Sequence, residues 1–158
     1  MPVSVLFVCL GNICRSPMAE AVFQQMVDDA GLSEQIRVDS AGTGSWHTGE
    51  APHRGTQRVL REHNIAYDGR ARQVAVADFD TFDYLIAMDR SNLRNITDQI
   101  EAHGGTDAHV GLLLDFASGA DVDEVPDPYY DGRFEYVYQL VTDAAEGLLA
   151  HIREQHNL

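Results

Sequence analysis

Apolar positions fall into short β-branched runs and longer stretches with helical spacing. Val3-Ser4-Val5-Leu6-Phe7-Val8 is almost continuously apolar, the pattern of a strand buried on both faces. Gly11 and Asn12 break the run. Ser16-Pro17 is then expected to open a helix, with serine as the N-cap and proline at the first helical position. Val22, Phe23, Met26, Val27 and Ala30 recur at helical spacing, and Gly31 ends the element. Ile36–Ser40 reads as a second strand, leading into the turn-rich Gly42-Thr43-Gly44.

A helix is expected from Pro52 to His63, with Val59 and Leu60 turned inward and Arg54, Arg58 and Arg61 on the other side. Phe82–Met88 reads as a third strand, Asp89 as the cap of a helix carrying Leu93 and Ile96, and Val110–Leu114 as a fourth strand. Ala117–Asp131, rich in acids and holding two prolines, reads as loop. A last amphipathic helix carries Phe134, Val137, Leu140, Val141, Ala144, Leu148 and Ile152. Strands alternating with helices predict an α/β fold: three layers, with helices on both faces of a four-stranded parallel sheet. With 158 residues, 44% of them hydrophobic, and no repeat or linker, one domain spanning 1–158 is expected.

Charge changes this picture. There are 25 acidic residues against 11 basic ones, for a net charge of −14, and every basic residue is arginine. Without lysine there is no amine for a Schiff base and no Gly-Lys phosphate loop. The excess of acids argues against nucleic acid or an anionic membrane as a partner. It is also lopsided: residues 1–79 hold 7 arginines and 9 acids, whereas residues 80–158 hold 4 and 16. Any anion site is therefore expected in the first half. No run approaches the roughly 20 apolar residues of a membrane span. Val3–Leu10 has no positive residue before it, and two cysteines make no disulfide framework. A cytoplasmic location is expected.

The candidate chemistry lies at the end of the first strand, in Cys9-Leu10-Gly11-Asn12-Ile13-Cys14-Arg15-Ser16. A loop running from a strand into a helix aims several backbone N–H groups at one point, where the helix dipole adds positive potential. Such a nest binds a tetrahedral oxyanion, and Arg15 can grip two of its oxygens. Thiols at helix N-termini or near arginine have pKa values of about 3.5–7.5, so Cys9 is a candidate nucleophile. The Ser16 hydroxyl can hydrogen-bond to it. A buried cysteine at a strand end is commonly inert. Strand, glycine, arginine and helix start together favour catalysis here.

Val8–Ala21 (Val-Cys-Leu-Gly-Asn-Ile-Cys-Arg-Ser-Pro-Met-Ala-Glu-Ala) resembles the signature of the low-molecular-weight protein tyrosine phosphatases. The resemblance continues through Val38-Asp39-Ser40-Ala41-Gly42, Ala71-Arg72-Gln73, Phe82-Asp83-Tyr84, Met88-Asp89 and Asp127-Pro128-Tyr129-Tyr130. It implies hydrolysis of a phosphotyrosine protein or aryl phosphate through a phosphocysteine on Cys9. Arg15 and the amides of Leu10, Gly11, Asn12, Ile13, Cys14 and Arg15 would hold the phosphate, and Asp127 would be the general acid and base. No metal or cofactor is implied.

The resemblance further suggests Trp46, Tyr129 and Tyr130 as walls for a phenyl ring, Asn12 and Ser40 as braces of the loop, and Asp89 behind Arg15. The bland alternatives are a half-buried tryptophan, two tyrosines packing a loop, and an aspartate that only caps a helix. For Asp127, flanking Pro126 and Pro128 would stiffen the loop, and Asp121, Asp123, Glu124 and Asp131 would favour the protonated form if they approach. Cys14 is implied as a partner that traps oxidised Cys9 in a disulfide.

One position departs from the pattern. Members often carry a loop-bracing histidine two residues before the Ala-Arg-Gln stretch, and this chain has Gly69. Arsenate reductases of this architecture use further cysteines downstream, and none follows Cys14. A protein arginine phosphatase of the same fold typically has threonine at the place of Ile13. The apolar Ile13 and two aromatics favour a phenyl ester. A phosphate-binding module without chemistry would lack Cys9 or Asp127.

Overall fold

The computed structural model describes residues 1–158. Its elements are β1 (Val3–Cys9), α1 (Arg15–Asp29), β2 (Ile36–Gly42), α2 (Arg54–Glu62), α3 (Asp78–Thr81), β3 (Tyr84–Ala87), α4 (Arg90–His103), β4 (His109–Leu112), α5 (Pro128–Asp131) and α6 (Phe134–His156). A single 3-10 turn, Leu113–Phe116, follows β4. The four strands form one parallel sheet in the order β2-β1-β3-β4.

All seven residues of β1 are buried because layers cover both its faces. Side-chain alternation splits them: Val5, Phe7 and Cys9 join the larger core under α1 and α6, and Leu6 and Val8 join the smaller core with Phe79 and Ile96. The chain leaves β1 for β2 on one side and returns to β3 on the other, so the end of β1 is where the strand order reverses. Cys9 is the last residue of that strand.

Several boundaries move from their expected places. Arg15 and Ser16 already lie within α1, whose N-cap is Cys14, so Ser16 is not a capping residue. Pro17 sits in the first turn, where its missing N–H costs nothing. β2 runs on to Gly42, paired with Cys9. β3 is shorter than expected, because Phe82 ends the short helix α3 and Met88 lies past the last paired residue. β4 stops at Leu112, and the stretch to Asp131 contains the extra helix α5, begun by the Asp127 side chain accepting from the Tyr129 N–H. No helix is long and apolar enough to cross a membrane.

Candidate active site

The loop from Leu10 to Cys14 turns because Asn12 adopts φ +57°, a left-handed conformation that asparagine tolerates better than most residues. The amides of Leu10, Gly11, Ile13 and Cys14 donate to no protein acceptor. They are free for an anion, as backbone donors in a nest require. Cys9 and Arg15 border the same pocket, with a volume of about 280 Å³.

Cys9 is held from two sides. Its Sγ lies 3.0 Å from the Ser16 hydroxyl and accepts from the Asn12 backbone N–H at 3.3 Å. The Asn12 side-chain amide donates to Ser16 Oγ at 2.8 Å and to Ser40 Oγ at 3.0 Å. While its oxygen accepts from Asn12, the Ser16 hydroxyl keeps its own hydrogen, which a Cys9 thiolate can accept. The Asn12 carbonyl in turn accepts from the Arg72 N–H at 2.9 Å. Asn12, within the loop, and Ser40, on β2, are thus joined by a hydrogen bond.

Behind Ser40 the network reaches residues that the sequence did not single out. Ser40 donates to Glu20 Oε1 at 2.6 Å, and the Tyr67 hydroxyl donates to the same oxygen at 2.7 Å. Burial holds Glu20 above the ordinary carboxylate range, with the two hydroxyls pulling the other way. Tyr67 is pushed up by burial and by the adjacent Glu20. A Cβ added at Gly69 would overlap the Tyr67 hydroxyl and ring. Glycine at 69 makes room for tyrosine at 67. A signal for Glu20 was present within Val8–Ala21, one helical turn beyond Ser16; Tyr67 gave none.

Arg15 is only 3% exposed, yet its charge is secure. Burial opposes the charge, but Cys9, Asp89 and Asp127 together raise its pKa. Nη1 donates to Asp89 Oδ2 at 2.7 Å and to the Val125 carbonyl at 3.0 Å, and Nη2 lies 3.6 Å from Asp127 Oδ2. Nε makes no hydrogen bond, which leaves Nε and Nη2 for two oxygens of a ligand. Asp89 does both things weighed for it: Oδ1 caps α4 through the Asn92 N–H, and Oδ2 takes Arg15.

The acids expected around Asp127 go elsewhere. Asp123 and Glu124 pair with Arg90, Asp121 accepts from the Tyr136 hydroxyl, and Asp131 accepts from the Arg133 N–H. The condition that they approach Asp127 is not met, because each is engaged by another partner. The groups that touch the Asp127 carboxyl are Arg15 and the Tyr129 amide.

Leu10, Gly11, Ile13, Trp46, Tyr129 and Tyr130 also line the pocket. Trp46 is 69% and Tyr130 80% exposed, so they border the mouth and are not core residues. The Trp46 ring folds over Gly44, where a Cβ would collide with it. His47, bonded to Glu50 through Nδ1 at 3.0 Å, adds a wall that sequence reading missed. Cys14 is a free thiol on the same pocket, and burial, helped by Cys9 and Asp127 and opposed by Arg15, pushes it up to about 12. Two cysteines in one pocket therefore differ: Cys9 receives donors, while Cys14 stays a thiol at neutral pH.

A family model described as low molecular weight phosphotyrosine protein phosphatase matches residues 4–158. The chain is 50% identical over 157 residues to the low molecular weight protein-tyrosine-phosphatase YfkJ of Bacillus subtilis, covering 99% of each. It is 46% identical over 156 residues to PtpA of Staphylococcus aureus, a protein of the same description, covering 99% of this chain and 97% of that one. The crystal structure of YfkJ superposes with a TM-score of 0.93, at 49% identity and over 98% of this chain and 97% of that one. A drosophila arginine phosphatase superposes with a TM-score of 0.89 at 33% identity, over 94% and 97% of the two chains. Fold alone therefore does not choose between a phosphate ester and a phosphoramidate. The expected resemblance holds across nearly the whole sequence, and the chain belongs to the low molecular weight phosphotyrosine protein phosphatase family.

Proposed function

We propose that the chain hydrolyses phosphotyrosine in proteins through a phosphocysteine intermediate. The supporting observation is the setting of Cys9: its sulfur meets the Asn12 N–H and the Ser16 hydroxyl, in a loop of free amides that runs into Arg15. The phosphate binds to those amides and to Nε and Nη2 of Arg15, which follow its oxygens through the transition state. The Cys9 thiolate attacks phosphorus, forming the S–P bond as the P–O bond to tyrosine breaks. Asp127 gives its proton to the departing phenolate oxygen. The acid form of Asp127 is also the one that sits beside a phosphate dianion without repulsion. Water then attacks phosphorus and gives its proton to Asp127. The S–P bond breaks, inorganic phosphate leaves, and the returning thiolate is received by the Ser16 hydroxyl and the Asn12 amide.

Ile13, Trp46, Tyr129 and Tyr130 offer apolar surface to a phenyl ring, and this lining favours an aryl ester over phosphoarginine. Peptides carrying phosphotyrosine, phosphoserine or phosphoarginine separate these possibilities. Phosphotyrosine is expected to be hydrolysed at least ~10-fold faster in kcat/KM than either of the others. Faster turnover of phosphoarginine would replace the ester assignment.

Tyr67 acts in this scheme as a positioning residue, through Glu20 and Ser40. Tyr67→Phe removes one donor from a buried carboxylate, at a cost in stability of about 1–3 kcal/mol. The same loss raises Glu20 further, and a protonated Glu20 is a weaker acceptor for the Ser40 hydroxyl. The acid limb of the kcat/KM profile is therefore expected to move to higher pH. A pH–rate profile that superposes on the parent's would reduce Tyr67 to a packing residue.

A further inference from the structure

A cationic groove lies beside the pocket. Arg54, Arg58 and Arg61 follow each other along α2 at spacings of four and three, which places them on one exposed face. Together with His53, Gln57 and Phe134 they line a groove of about 710 Å³.

These arginines are used differently from the three that each bind a pair of acids. Arg15, Arg72 and Arg90 each hold two carboxylates. Arg58 has only a loose 3.7 Å contact with Glu62 across solvent, and Arg54 and Arg61 form no ion pair. In a chain with 25 acids, three neighbouring arginines remain open to an outside anion.

The position of the groove separates it from an ordinary solvated helix face. The His53 N–H donates to the Ile13 carbonyl of the phosphate loop at 2.8 Å. The His53 ring stacks on Phe134, with centroids 4.9 Å apart, and meets Tyr129 edge-on at 5.7 Å. Tyr129 lines the pocket that holds Cys9. One imidazole and one phenol therefore separate the two depressions.

We propose that this groove receives acidic residues flanking the phosphotyrosine of a protein substrate, an inference that rests on reading the pocket as a phosphotyrosine site. From Arg54 to Arg61 the helix rises about 10 Å, the span of about three residues of extended peptide. Carboxylates two residues apart on one edge of such a peptide lie about 7 Å from each other, so each can meet its own arginine. The groove supplies locally the attraction that the net charge of −14 denies the surface at large.

Paired phosphotyrosine peptides test it: Asp and Glu flanks against Asn and Gln flanks, on either side of the phosphotyrosine. The parent is compared with the triple variant Arg54→Gln, Arg58→Gln, Arg61→Gln, and p-nitrophenyl phosphate serves as the small substrate. Exposed ion pairs are individually weak, so the parent is expected to favour acidic flanks by about 5–10-fold in kcat/KM, through KM. The triple variant is expected to lose that preference while keeping its rate on p-nitrophenyl phosphate. Equal rates on both peptides in the parent, or a preference that survives in the variant, would overturn the groove assignment and leave the phosphatase reading standing. A parent that hydrolyses p-nitrophenyl phosphate but neither peptide would overturn both.

Discussion

Cys9→Ser is expected to lose at least ~10⁴-fold in kcat on every phosphate ester while remaining folded. Serine fits the space, and its oxygen can keep the contacts to Ser16 and the Asn12 amide. What it lacks is a means to ionise. An alcohol nucleophile needs a base to take its proton, and neither the Ser16 hydroxyl nor the Asn12 N–H that touches position 9 is one. The arrangement suits a sulfur nucleophile, which attacks as the thiolate and needs no base at the moment of attack. Steady-state hydrolysis, with far-UV circular dichroism as the folding control, checks this. Residual activity within a factor of ten of the parent would mean that the phosphorus is attacked by something other than Cys9.

Asp127→Asn is expected to show its loss selectively. On phenyl phosphate, whose leaving group has a pKa of about 10, the rate should fall by about 10²–10⁴-fold. On aryl phosphates with strongly electron-withdrawing rings the phenolate departs unaided, and the loss should shrink. Asparagine retains the oxygen that accepts from the Tyr129 N–H, so the start of α5 is preserved. It removes one of the two carboxylates beside Arg15. A loss independent of the leaving group would assign Asp127 to holding Arg15 in place and not to proton transfer.

The parts of the site legible in the sequence were those contiguous along the chain. Cys9 to Ser16 is one strand end, one loop and one helix start, and local rules suffice to place an anion there. Even so, Ser16 lies two positions past the N-cap it was expected to be. Its hydroxyl is engaged by Cys9 and Asn12, which leaves nothing with which to cap α1. The fold class followed from periodicity, and the strand ends did not, because Phe82 and Met88 are as apolar as the paired residues between them. Asp127 could be named through resemblance, but its surroundings could not, since its acidic neighbours turn toward Arg90, Tyr136 and their own turns. The Tyr67–Glu20 contact joins residues 47 apart, and Tyr67 occupies space that a side chain at position 69 would need. The glycine at 69 is visible in the sequence, whereas the tyrosine ring beside it becomes visible only when the chain is folded.

Asp89 has one carboxylate and two dependants, the first turn of α4 and the guanidinium of Arg15. An engineer seeking a sturdier protein would treat position 89 as a helix cap, where asparagine ranks beside aspartate. The helix would accept that exchange; the arginine would lose its nearest counter-charge. Position 89 is thus closed to an exchange that capping alone would permit, since any neutral residue there alters how Arg15 is held.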